Sequence, residues 1–289
     1  MTVTALIATL NEERNLPSCL ASLGFADRIV VVDSGSNDRT VAIAQEHGVE
    51  VYQFPGVAVA GCPKRTWFLQ NHAVTTDWVL VADADEIFSD ELGQEIAAAT
   101  STTGSRFAGY YLPFTIFFLG RQIRHASMNT AAQLRLFRTT KGAYEMSPIA
   151  WRPDMGDVEV HERILVDGNV GTLQHSVHHD DFKGFANWIT KHNRYSTWEA
   201  ERRLQKGDQE DLGVTLRLLL KPSSVDRRKG LRSVGTRLPF RPLLTFLWYY
   251  LLRSGWRDGR AGLVFCSCLA MHQFNIDVKT HELRSQAAV

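Results

Sequence analysis

Four cysteines in 289 residues, Cys19, Cys62, Cys266 and Cys268, make no metal-ligand spacing and no redox pair, which excludes a zinc knuckle and a disulfide frame. Net charge is nearly absent: 32 Lys and Arg against 31 Asp and Glu leave +1, so no global field selects nucleic acid. No uninterrupted apolar run reaches the roughly 20 residues that span a bilayer, and no spanning segment is expected. A basic leader is missing ahead of the first apolar run, so no signal peptide is expected. Repeats and low-complexity tracts are absent as well. With 44% hydrophobic and 22% charged residues, the composition is that of a folded globular chain. The small net charge hides an asymmetry. Residues 217–260 hold eleven basic and two acidic residues, so +9 lies there and −8 is spread over the remainder.

The first hundred residues alternate two periodicities. Short β-branched apolar runs fall at 3–9, 28–33, 49–54 and 77–82, and helical spacings fall between them at 12–23, 36–48 and 63–74. Strands and helices alternating at this pitch imply an α/β fold with a doubly wound, mostly parallel sheet. From Tyr110 to about Gly171 the pattern changes to short β-like pieces at 109–117, 133–137 and 163–166. Residues 175–204 read as one long helix, 212–220 as a further helix stopped by Pro222, and 221–241 as a basic loop.

In a doubly wound sheet, ligands meet the carboxyl ends of the strands. Three polar clusters lie there: Thr9-Leu10-Asn11-Glu12, Asp33-Ser34-Gly35-Ser36-Asn37-Asp38 and Asp83-Ala84-Asp85-Glu86. Asp-x-Asp after a buried strand can aim two carboxylates at one hard cation, Mg²⁺ or Mn²⁺. Asp33 leaves an all-apolar run, placed either to accept from a base or ribose or to cap the next helix. Lys64 and Arg65 open the helix before the fourth strand, where they either meet a diphosphate or stay solvated. Three histidines (His175, His178, His179) at i, i+3, i+4 share one helical face, yet further borderline ligands are missing and no separate zinc site is expected.

These motifs carry a resemblance. Thr-Leu-Asn-Glu-Glu, Val-Val-Val-Asp-Ser-Gly-Ser-Asn-Asp-Arg-Thr and Val-Leu-Val-Ala-Asp-Ala-Asp-Glu, in that order, resemble the nucleotide-sugar half of family-2 glycosyltransferases of the GT-A fold. Gly-Arg-Gln-Ile-Arg-His, Gln-Leu-Arg-Leu-Phe-Arg, Val-His-Glu-Arg and the segment from His179 to Trp188 are similar to the subgroup of lipopolysaccharide core glucosyltransferases. The resemblance implies that Thr9, Asn11, Glu12 and Asp33 surround the nucleoside. It implies that Lys64 or Arg65 approaches the base or diphosphate, that Asp83 reaches ribose and metal, and that Asp85 ligates the metal. Glu162 resembles the general base, and His179 a histidine that completes the metal or diphosphate site. One departure stands out: after Arg124-His125 the chain reads Ala126-Ser127-Met128-Asn129-Thr130, where the related proteins carry an aromatic and a Pro-Asp pair.

The expected organisation is a GT-A-type catalytic domain at 1–215 and a helical, membrane-facing region at 216–289. The catalytic domain divides into a nucleotide-sugar half at 1–100 and an acceptor half at 101–215. Phe246, Trp248, Tyr249 and their apolar neighbours are bracketed by Arg237, Arg241, Arg253, Arg257 and Arg260, a pairing that suits the headgroup level of an anionic membrane. A buried hairpin or a dimer face is the alternative. The expected function is an inverting transfer of a hexose from a nucleotide sugar, UDP-linked, to a hydroxyl of a lipid-anchored glycan. Mg²⁺ or Mn²⁺ is the expected cofactor and the inner face of the cytoplasmic membrane the expected location, with no nucleic-acid partner. The alternatives are a non-catalytic nucleotide-sugar-binding regulator and a nucleotidyltransferase.

Overall fold

The computed structural model describes residues 1–56, 63–101, 106–126, 132–145, 164–181, 183–205 and 240–287. They form two compact units, Met1–Ala186 and Asn187–Val289. The division expected at 215/216 and the helix expected at 212–220 lie outside the described residues.

The first unit begins with β1 (Val3–Thr9), α1 (Leu16–Ser22), β2 (Arg28–Asp33), α2 (Thr40–Glu46), β3 (Glu50–Gln53), α3 (Lys64–Asn71) and β4 (Trp78–Asp83). β5 (Glu86–Ile87), α4 (Asp90–Ser101), β6 (Phe107–Leu112), β7 (Phe114–Phe118) and β8 (Arg121–Ile123) follow. The remaining strands are β9 (Gln133–Arg138), β10 (Gly142–Tyr144), β11 (Ile164–Val166), β12 (Asn169–Thr172) and β13 (Val177–His179). The main sheet has the order β12-β6-β9-β4-β1-β2-β3. Its β1, β2, β3 and β4 run parallel, and β9 runs against both neighbours. The mixed, parallel-rich α/β sheet expected from the sequence is the one observed.

Period-two alternation builds the two faces of this sheet. Ala5, Ile7, Val31, Leu80 and Ala82 pack with Leu16, Leu20, Ile43, Leu92 and Ile96 from α1, α2 and α4. Leu6, Val30, Val32, Val79 and Val81 pack on the other side with Phe68 of α3 and Phe137 of β9. Strands buried on both faces are continuous apolar runs, which is why they were legible. The chain winds outward from β1 to β3 and returns to β4 on the far side of β1, so the switch of strand order lies between β1 and β4. Register Thr9↔Asp33 and Ala8↔Asp83 puts the three polar strand ends on one rim.

Two helices start later than their periodicity implies. Pro17 sits in the first turn of α1, so the helix opens at Leu16 and residues 12–15 form a turn. Asp38 Oδ1 accepts from the Thr40 amide at 2.9 Å, and α2 begins there. The long helix expected over 175–204 is corrected at its start. Val177–His179 is a strand, parallel to β7 and antiparallel to β5, and Gly184 at φ +86° separates it from α5 (Phe185–Gln205). The three histidines therefore share no helical face, because adjacent residues of a strand point to opposite sides.

The second unit holds most of α5, then α6 (Arg241–Leu247), a π-helical turn (Trp248–Leu252), a 3-10 turn (Gly255–Asp258) and α7 (Gly259–Ala287). Lys279 of α7 donates to Asn193 O and Oδ1 at 2.7 Å each, to Thr197 Oγ1 at 2.7 Å and to Ser196 Oγ at 2.9 Å, all on α5. Asp277 pairs with Arg203 at 2.8 Å and with Arg241 at 3.5 Å. Cys266 and Cys268 are free and buried, and burial pushes both thiols up to about 11. The expectation that no segment could span a membrane is corrected in one respect. Within helical residues 255–286 an 18-residue stretch reaches a mean hydropathy of 1.2, so the helix could cross by length and composition alone, and 39% of that stretch is buried. Isolated polar residues divide this helix, so its sequence holds no uninterrupted apolar run of that length.

Candidate active site

The loops after β1 and β2 are laced together. Asp33 is fully buried, and its two oxygens accept from Thr9 Oγ1 at 2.9 Å, the Gly35 amide at 2.9 Å, the Ser36 amide at 2.8 Å and the Ser36 hydroxyl. Asn11 takes φ 55°, its amide donates to Ser36 Oγ at 2.8 Å, and its Oδ1 accepts from the Asn37 amide at 2.9 Å. The Glu12 amide donates to Thr40 Oγ1 at 2.7 Å. Thr9, Asn11 and Asp33 thus shape this rim through hydrogen bonds that fix its backbone. Lys64 is buried at the start of α3, and its Nζ donates to Thr9 O and Ser34 Oγ at 3.0 Å each. It belongs to the rim's framework, which the solvated alternative did not anticipate.

Arginines frame the end of β4. Arg65, also buried, donates to Ala82 O at 3.0 Å and pairs with Asp83 Oδ1. Arg135 Nη2, from β9, meets Asp83 Oδ2 and Glu86 Oε1 at 2.9 Å each. Burial would raise Asp83, but the two guanidinium groups hold its carboxyl well below the usual range. Glu86 goes the other way: burial pushes it well above the usual range despite Arg135, and Asp83 adds to the rise. Its Oε2 also accepts from the Asp83 amide at 2.9 Å. Arg135 was not among the expected site residues. Its signal was available, since a charged residue inside a strand flanked by Leu134 and Leu136 requires a buried partner.

Asp85 is buried on the turn between β4 and β5. Pairing of β13 with β5, in the register His179↔Glu86, sets His179 Nδ1 at 3.4 Å from Asp85 Oδ1. The Asp180 amide donates to Asp85 O at 3.0 Å, and burial raises the Asp180 carboxyl. Of the three expected metal ligands, Asp85 and His179 are therefore together, while both Asp83 oxygens face arginines. Carboxylate and imidazole suit a divalent cation whose remaining positions go to phosphate and water oxygens. Among the described residues, no group of three or more His, Cys, Asp or Glu could hold a metal by itself.

A second lattice reaches toward residues 180–184. Glu12 pairs with Lys183, and Asn15 Nδ2 donates to Glu12 Oε2 at 2.9 Å and to Asp181 Oδ1 at 3.1 Å. Burial pushes Glu12 up to about 7, against the charge and hydrogen bond of Lys183. Asn15, Asp181 and Lys183 were also absent from the expected set, because the contact joins residues more than 160 apart. His175 is spent elsewhere, its amide and Nδ1 at 2.9 and 2.8 Å from Glu95 Oε2. The expected base, Glu162, lies outside the described residues.

The family model described as glycosyl transferase family 2 matches residues 4–143. That interval contains β1 to β4 and every rim residue just described up to Arg135. The lipopolysaccharide core biosynthesis glycosyltransferase LpsC of Rhizobium meliloti is 26% identical over 286 residues, 97% of this chain and 92% of that one. An uncharacterized glycosyltransferase of Rickettsia felis is 27% identical over 207 residues, 71% of each chain. The crystal structure of S. aureus TarS 1–349 in complex with UDP-GlcNAc aligns with a TM-score of 0.46 at 14% identity, over 99% of this chain and 92% of that one. Residues 4–143 are thus similar to the glycosyltransferases of family 2.

Proposed function

We propose that this enzyme moves a hexose from a UDP-linked sugar to a hydroxyl of a lipid-anchored glycan, a lipopolysaccharide core or another cell-envelope polysaccharide, with inversion at the anomeric carbon. The observation that carries the donor side is the Asp85–His179 pair beside the arginine-held Asp83, all at the switch of strand order. The acceptor class rests on the likeness to LpsC along nearly the whole chain. An acceptor anchored in lipid places the enzyme at the inner face of the cytoplasmic membrane.

In this reading the nucleoside lies along the rim of the first two strand ends. Thr9, Asn11, Asp33 and Lys64 hold the backbone of that rim in place, and Glu12 ties it to Lys183. Arg65 and Arg135 position Asp83 toward the ribose. Asp85 and His179 hold Mg²⁺ or Mn²⁺, which, when bound, supplies positive charge to the departing diphosphate. Glu162 takes the proton of the acceptor hydroxyl as that oxygen bonds to the anomeric carbon and the bond to the diphosphate breaks.

A panel of nucleotide sugars, assayed for binding and for transfer to a lipid-linked glycan, tests the proposal. UDP-hexose binding that requires Mg²⁺ or Mn²⁺, followed by transfer, is the expected result. Binding without turnover on any lipid-linked glycan would instead indicate a regulator that only binds the nucleotide sugar. Selective binding of a donor linked to another nucleotide would overturn the UDP assignment.

A further inference from the structure

The α6 helix and the π-helical turn carry their apolar residues on the wrong side for a soluble hairpin. Neither element has a buried residue. Leu243, Leu247 and Leu251 recur every four residues, as do Leu244, Trp248 and Leu252, and all six are exposed. Two adjacent rows at this spacing form one stripe along a helix, and a stripe of this width normally faces a core. Phe240 at 77% exposed stands at one end of it, and Trp256 at 56% just past the other. The opposite side, with Pro242, Phe246, Tyr249 and Tyr250, is half-buried.

The turn that follows the stripe packs closely on α7 without burial of the stripe. Gly262 on α7 lies so close to the 3-10 turn that a Cβ there would meet Gly255 O at 2.1 Å. Ser254 at φ 60° turns the chain between the π-helical and 3-10 turns. The charges beside the stripe are mostly basic. Arg253, Arg257 and Arg260 follow it, all exposed, and Asp258 is the one acidic residue in 240–260.

We infer that this stripe is a lipid-insertion edge: it enters one leaflet of an anionic bilayer to side-chain depth, while Arg257 and Arg260 meet lipid phosphates at the rim. The inference deepens the reading of a lipid-anchored acceptor and rests on it for the identity of the membrane. Three features select a bilayer surface as the occupant. The thirteen residues from 240 to 252 reach about 20 Å at helical rise, short of the roughly 30 Å hydrocarbon core, so this limb does not cross. On α7, Asp277 and Lys279 are bound to α5 and α6 within the unit, so taking α7 across a membrane would break or desolvate these contacts. Aromatic and leucine side chains with arginines beside them are the composition of an interfacial element.

The test is flotation of the full-length protein with vesicles of phosphatidylcholine, with or without 30% phosphatidylglycerol, across a NaCl series. Wild type is expected to float at least tenfold better with the anionic vesicles at low salt, and to lose most of that advantage as salt rises. Leu251→Ser with Leu252→Ser is expected to cut flotation at least tenfold at every salt concentration. Arg257→Gln with Arg260→Gln is expected to abolish the preference for anionic lipid. Unchanged melting temperature and Mn²⁺-dependent UDP affinity in both variants show that fold and donor site are intact, so failure here leaves the donor chemistry standing. Equal flotation with both vesicle types, or flotation of the leucine variant like wild type, would overturn the inference. So would salt-independent binding that resists carbonate extraction, which marks a spanning helix. A dimer formed without vesicles and lost in the leucine variant would assign the stripe to a second copy.

Discussion

Arg135 bridges half-buried Asp83 and buried Glu86 with one nitrogen, and its loss would leave Glu86 without its cationic partner and Asp83 with Arg65 alone. Breaking a buried charge network at one member costs about 3–5 kcal/mol, so Arg135→Met is expected to lower stability by that order in chemical denaturation. Glu12 offers a test by pH. Its folded pKa of about 7 lies above the ordinary 4.5. A raised acid contributes stability fully below the unfolded value and loses it as pH rises through the folded one. The stability of wild type relative to Glu12→Gln is therefore expected to fall by on the order of 1–3 kcal/mol between pH 4.5 and 8. A flat difference across that window would contradict the burial of this carboxylate. Residue by residue, the acids at strand ends were legible because each follows an uninterrupted apolar run. Arg135, Asn15 and Lys183 were not, because their partners come from distant parts of the chain.

The elements differ in legibility for a physical reason. β1, β2 and β4 are buried on both faces and announce themselves by composition, and the helices between them carry a 3.6 period. β5 and β13 are two and three residues long. No periodicity exists in so short a segment, and only pairing, of β13 with β7 and of β13 with β5, makes them strands. That pairing sets His179 beside Asp85, so the part of the site least visible in the sequence depends on the least visible strands. The π-helical turn escaped for the same reason, since its sequence reads as ordinary helix. The close approach of Gly255 and Gly262 gives a test at this scale. Gly262→Ala forces the 3-10 turn away from α7, and such overpacking costs about 1–3 kcal/mol. A lowered melting temperature of that variant, with UDP affinity unchanged, is the expected outcome.

Charge and composition divide the sequence of the whole molecule in two. An acidic body carries the strand-end rim, and the basic stretch 217–260, described from Phe240 onward, carries the outward apolar stripe. The proposed transfer to a lipid-anchored glycan needs both a site for the soluble donor and a surface for the membrane-borne acceptor. The turnover step is tested by Glu162→Gln, which keeps the shape of the side chain but cannot accept a proton. Turnover is expected to fall by on the order of 10²–10⁴-fold with donor binding nearly unchanged. Near-normal activity would move the base to another carboxylate, Asp181 being the one already tied to the rim through Asn15.

The most direct measurement is calorimetric titration of UDP into the wild-type protein and into Asp85→Ala, each with Mn²⁺ and with chelator. The account predicts that wild type binds UDP with Mn²⁺ and loses at least tenfold in affinity with chelator. Asp85→Ala, folded by its melting curve, is expected to bind weakly and equally under both conditions. Metal-independent binding by wild type, or unchanged metal-dependent affinity in the variant, would contradict it.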